Sequence, residues 1–111
     1  MTGPTGRPPP AAARSRPVEV LLAGTARGDG GAFAELYRRL GPRVLVTVEL
    51  LVPPGPAAER VVVDVFVRIW RSAGTFDPRE GPALTWVTDL ARLRALDHFH
   101  RHHHAFGSEQ A

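Results

Sequence analysis

Apolar residues recur at three- and four-residue steps through most of this chain, and the pattern breaks at glycine and proline. Over residues 18–27, Val18, Leu21, Leu22 and Thr25 fall on one side of a helix. Gly28 is placed to cap its end, since glycine takes the left-handed conformation at little cost, and Asp29 is placed to cap the next helix. Over 31–51, Phe33, Leu36, Tyr37, Leu40, Val44, Val48 and Leu51 make one apolar stripe. Gly41 and Pro42 interrupt it, which predicts a kink or a short break. The run Val52-Pro53-Pro54-Gly55-Pro56 ends this helix, and Pro56 suits the first position of another.

The third pattern, 57–73, has an inward stripe of Val62, Val65, Phe66, Ile69 and Trp70. Its other faces mix Val61, Val63 and Val67 with Glu59, Arg60, Asp64, Arg68 and Arg71. A helix on the surface of a small bundle normally has a polar outer face. Two readings stand: a central helix buried on most sides, or a docking face where exposed apolar surface has a purpose. Gly74 ends this helix. After the loop 75–82, Pro82 opens a fourth helix running to about 103, roughly 30 Å long. Its inward stripe is Ala83, Val87, Leu90 and Ala91, flanked by Trp86 and Leu93. Arg94, Asp97 and Arg101 continue that line, so they must be paired or reach water, and Arg94 can pair with Asp97 three residues on.

These patterns predict an all-α fold, a small bundle of three to four helices spanning 18–104. A flexible tail follows at 105–111. Residues 1–17 hold five prolines and no large apolar side chain, which predicts a disordered tail. No apolar run approaches the ~18 residues of a membrane span, and the N-terminus lacks the apolar stretch of a signal peptide. The chain has no cysteine, which excludes disulfides and thiolate metal sites and fits a cytoplasmic setting.

Charge changes the picture only locally. The formal net charge is +3 and every basic side chain is arginine, but Arg7, Arg14 and Arg16 lie in the tail. From 18 onward the arginines equal the acids in number, so a case for nucleic acid must rest on clustering. Arg92, Arg94 and Arg101, with the histidines of 98–104, form the one basic element of the folded part, near Phe76, Trp86 and Phe99 in sequence. Arginines beside aromatics suit single-stranded nucleic acid, where cations follow phosphates and rings stack on bases. Trp86 and Phe99 serve equally as core residues. His98/His102 and His100/His104 have helical metal-ligand spacing, but no acid or cysteine accompanies them, and a polar, partly protonated helix end is the expected role. No catalytic constellation, phosphate loop or nucleotide fingerprint is present, so no enzyme activity, cofactor or metal is expected.

Three segments in order carry a family resemblance. AFAELYRRLGPRV at 32–44 looks like the opening of region 2 of sigma-70 factors, in the extracytoplasmic-function (ECF) branch. AERVVVDVFVRIWR at 58–71 resembles the helix that grips the β′ clamp helices of core RNA polymerase. FDPREGPALTWVTDLARLRALD at 76–97 resembles the segment that melts and reads the promoter −10 element. The resemblance implies a role in transcription initiation. Glu59, Asp64, Val67, Arg68 and Arg71 would face the polymerase, with Asp64 as the acidic contact. The loop holding Phe76, Asp77 and Arg79 would clamp an extruded base of the melted non-template strand. Trp86, Arg92, Leu93 and His100 would lie along promoter −10 DNA, with Arg101 on a backbone phosphate.

This chain departs from the family at Val63-Asp64, often Gln-Glu, and at Leu93, often Asn. The family's second helical domain, region 4, is absent, which implies a fragment or a stand-alone region 2. The resemblance leaves a second reading open, an interaction module that binds polymerase or an anti-sigma factor without reading DNA.

Overall fold

A computed structural model describes residues 16–110, with side chains to His102. Helix α1 (Val18–Ala26) leads to α2 (Gly30–Glu49) and α3 (Pro56–Ser72), then two 3₁₀ turns (Ala73–Thr75 and Pro78–Glu80) and α4 (Ala83–Gln110). Among the described residues there is no strand, and the fold is all-α as the periodicity predicts. Helix α2 touches α1, α3 and α4, and α3 also touches α4. Leu21, Leu36, Val44, Val48, Val65, Phe66, Ile69 and Val87 meet in the core. No helix of the described residues is long and apolar enough to cross a membrane.

The caps follow the sequence. The Asp29 carboxylate accepts from the amides of Gly31 (2.9 Å) and Ala32 (3.2 Å), satisfying donors that a helix start leaves open. Gly28 takes φ +86°, and the Asp29 amide reaches back to the Gly24 carbonyl at 2.9 Å to close α1. Pro56 occupies the first turn of α3. A tertiary contact helps start α4: Glu19 of α1 accepts from the Ala83 amide at 3.3 Å.

Several expectations are corrected. Helix α2 runs unbroken through Pro42, whose ring stands on the exposed side, where water can serve the carbonyl that proline leaves without a donor. Trp70 belongs to the rim rather than the core: it is 42% exposed, edge-on to Phe33 with centroids 5.1 Å apart. Val61 is buried, while Val63 and Val67 are exposed, so each reading of α3 holds for different valines. Tyr37 and Leu93 are exposed as well, and Ala95 takes the next buried place on α4 after Ala91.

The tail 1–17 lies outside the described residues except for Arg16 and Pro17. Arg16 is fastened to α2: its guanidinium meets Glu35 at 2.7 Å, and Arg39 donates to its carbonyl. The Arg16 hydrogen bond holds the Glu35 carboxyl below its ordinary pKa, with Arg39 adding to the effect. Helix α4 runs past 103 to Gln110, through most of the segment expected as a C-terminal tail. The side chains of that stretch, and Ala111, lie outside the described residues.

Candidate functional site

The sequence-predicted residues fall into three places. The first is the outer face of α3. At about 3.6 residues per turn, Val63, Val67 and Trp70 form a strip on its α2 side, and Arg60, Asp64, Arg68 and Arg71 lie toward α4. The apolar strip borders an open groove of about 600 Å³ between α2 and α3, lined by Tyr37, Gly41, Pro42, Leu45, Glu59 and Val63. The folded chain therefore leaves a valine 54% exposed beside an exposed tryptophan and an exposed tyrosine. Sequence reading picked Glu59, Val67, Arg68 and Arg71 from this face and missed Tyr37 and Trp70, whose spacing reads as core.

Asp64 was expected on the same outer face as a free acidic contact. The structure turns it to α4, where its Oδ2 accepts from Arg94 Nε at 2.7 Å. Arg94 is only 21% exposed at its side chain, and Asp97, its expected partner, stands farther off at 3.8 Å. A cation on the edge of the core needs a close counter-charge, and the neighbouring helix supplies it.

The second place is the loop between α3 and α4. Asp77 accepts from the Arg79 amide at 2.9 Å and from both Nε and Nη2 of Arg79 at 3.1 Å, which fixes the second 3₁₀ turn. The Arg79 side chain, followed by its amide, holds the Asp77 carboxyl below its ordinary pKa. Gly81 at φ +136° turns the chain into α4, a conformation that other residues rarely take. Phe76 and Trp86 stack edge to face, centroids 5.8 Å apart, on one wall of a cleft of about 170 Å³. Asp77, Glu80, Thr85 and Asp89 supply its polar atoms. Thus Phe76, Asp77 and Trp86 are brought together, Arg79 projects into solvent beside them, and Glu80, Thr85 and Asp89 are additions that sequence reading did not find. Arg92, one turn on, pairs with Asp89 at 2.8 Å.

The third place is the far half of α4. Leu93 (62% exposed) and His100 share the outer face with Trp86 and Arg92. Arg101 points to the other flank: it pairs with Asp97 at 3.4 Å and borders a notch against α3 with Arg60, Asp64, Arg94 and His98. The expected DNA residues of α4 therefore split between two faces. His98 and His102 stack with centroids 4.0 Å apart. The His104 side chain of the second spaced pair lies outside the described residues.

Comparison with known proteins bears on these surfaces. The Sigma-70 region 2 family model matches residues 36–104. The ECF RNA polymerase sigma factor SigK of Mycobacterium sp. (strain KMS) is 38% identical over 80 residues, covering 72% of this chain and 42% of that relative. The ECF RNA polymerase sigma factor SigK of Mycobacterium ulcerans (strain Agy99) is 32% identical over 97 residues, 87% of this chain and 48% of the relative. The chain spans less than half the length of these relatives. No solved structure matches. The family match covers more than half of the chain, and the chain belongs to the sigma-70 region 2 family.

Proposed function

We propose that this chain acts in transcription initiation in the manner of an ECF sigma factor region 2, binding core RNA polymerase and promoter −10 DNA. It works in the cytoplasm, by binding rather than by catalysing a reaction of its own. The observation that carries the reading is that the bundle offers both an exposed apolar strip on α3 and an aromatic-walled cleft at the start of α4. Val63, Val67 and Trp70, with Glu59, Arg68 and Arg71 around them, form the surface for the β′ clamp helices. Burying such a strip against a partner helix removes apolar area from water.

The cleft at Phe76 and Trp86 takes a base extruded from the melted non-template strand. Its rings give the base a face to stack on, and its carboxylates accept from an exocyclic amine. Extrusion costs a few kcal/mol of unstacking, which contacts in such a cleft offset. Arg79, Arg92 and His100 follow the strand's phosphates on the outer face, and Arg101 meets the backbone on the other flank of α4. Because Asp64 is engaged by Arg94, its part is to set the α3–α4 geometry behind the polymerase surface, with its side chain still 44% exposed.

The test is binding of the purified chain to core polymerase, then of a labelled −10 non-template strand to that complex. A second reading rests on Leu93, an exposed apolar side chain among the residues meant to read bases. It makes the chain an interaction module that occupies polymerase or an anti-sigma factor without reading DNA. Polymerase binding with no −10 strand binding selects it.

A further inference from the structure

We propose that the notch between α3 and α4, lined by Arg60, Val61, Asp64, Arg94, His98 and Arg101, is a binding site for a phosphate group, carried by a nucleic-acid backbone or free in solution. Neither the polymerase strip nor the base cleft includes this notch. It is a cavity of about 290 Å³ at the junction of two helices. Three arginines line it against one aspartate, and Asp97 at its rim leaves one positive charge uncompensated.

The arginines are not equivalent. Arg94 is held by Asp64 at 2.7 Å, and Arg101 by Asp97 at 3.4 Å. Arg60 has no ion pair among the described residues and supplies the open charge. Its planar fork of donors matches the oxygens of a phosphate. Arg101, which is largely exposed, can turn part of its fork inward.

His98 reports on this field. Burial lowers its pKa first, and the positive neighbours His102, Arg101 and Arg60 lower it further, with Asp97 opposing them. The groups facing it are Arg60 and Asp64 from α3 and Arg94, Asp97, Arg101 and His102 from α4. A neutral imidazole held among cations can donate one N–H to an anion. An anion seated there in turn stabilises the protonated ring. Where the phosphate belongs to promoter DNA, the site rests on the DNA reading above; where it is free, it does not.

The experiment follows the His98 ring by NMR through a pH titration of the full chain. Inorganic phosphate is compared with chloride at equal ionic strength, and a short −10 single strand is compared with no DNA. The expected result is an upward move of the His98 midpoint by about 1 pH unit with the anion. The increment should vanish in Arg60→Gln, whose fold is checked by its melting curve. A shift with the strand only makes the backbone the source. A shift with inorganic phosphate only keeps the site and counts against DNA binding there. Equal His98 midpoints with and without both ligands overturn the site, even if the strand binds elsewhere. A shift that persists in Arg60→Gln also overturns it.

Discussion

Arg94 Nε donates to Asp64 Oδ2 at 2.7 Å, joining α4 to α3 across 30 residues of sequence. The pair sits where the surface proposed for polymerase meets the helix proposed for DNA. It therefore couples the orientation of one to the other.

Removing Asp64 should cost only modestly, because it is close to half exposed and Asp97 still stands 3.8 Å from Arg94. A double-mutant cycle of Asp64→Ala and Arg94→Ala in urea should give a coupling of about 0.5–1 kcal/mol, reduced by added salt. Additive single losses would mean the pair has no energetic weight.

The core and rim aromatics should separate cleanly. Phe66→Ala should destabilise by about 3–5 kcal/mol, the usual cost of truncating a fully buried ring. Trp70→Ala should cost about 1–2 kcal/mol, since much of the indole already faces water and its main loss is the edge contact with Phe33. Chemical unfolding of both variants checks the ranking, and equal losses would place Trp70 back in the core.

Much of this was legible in the sequence for definite reasons. Asp29, Gly28 and Pro56 act through local chemistry, and each occupies its expected cap. Leu36, Val44, Val48 and Val87 lie at the centres of their stripes, where periodicity is unambiguous. Trp70 and Val61 lie at stripe edges, and only the position of the neighbouring helices decides which of them is covered. The Arg94–Asp64 pair and the split of α4 into two faces depend on contacts distant in sequence, which spacing along one helix does not carry. The cleft was legible only at Phe76, Asp77 and Trp86, because Glu80, Thr85 and Asp89 join it through the turn at Gly81.

Helices α1 and α2 cross closely at Gly24. A Cβ there would stand 2.8 Å from the Cβ of Ala32, nearer than real side chains approach. Gly24→Ala should gain helix propensity yet lose net stability, by about 1–2 kcal/mol, because both backbones must shift. A melting temperature at or above that of the parent would refute the close crossing.

His98 should make stability depend on pH. Its folded pKa lies below the ordinary value of 6.5, so the unfolded chain binds more protons between the two values. The contribution is fully present above 6.5 and is lost as pH falls through the folded value. Urea midpoints at pH 7.5 and pH 5 should therefore fall with acid more steeply in the parent than in His98→Asn. Parallel slopes would mean the folded and unfolded rings titrate alike.

The central claim is that one small bundle presents a polymerase surface and a −10 DNA surface together. The most direct measurement is fluorescence anisotropy of the labelled chain with core RNA polymerase, followed by addition of a −10 non-template strand. Val63→Glu on the exposed strip and Trp86→Ala in the half-buried cleft wall serve as variants, and their melting curves report whether they fold. Polymerase binding should be saturable and weakened by about tenfold or more in Val63→Glu, and the complex should bind the strand in a way that Trp86→Ala removes. A folded chain that binds neither polymerase nor strand, or whose binding ignores both substitutions, would contradict it.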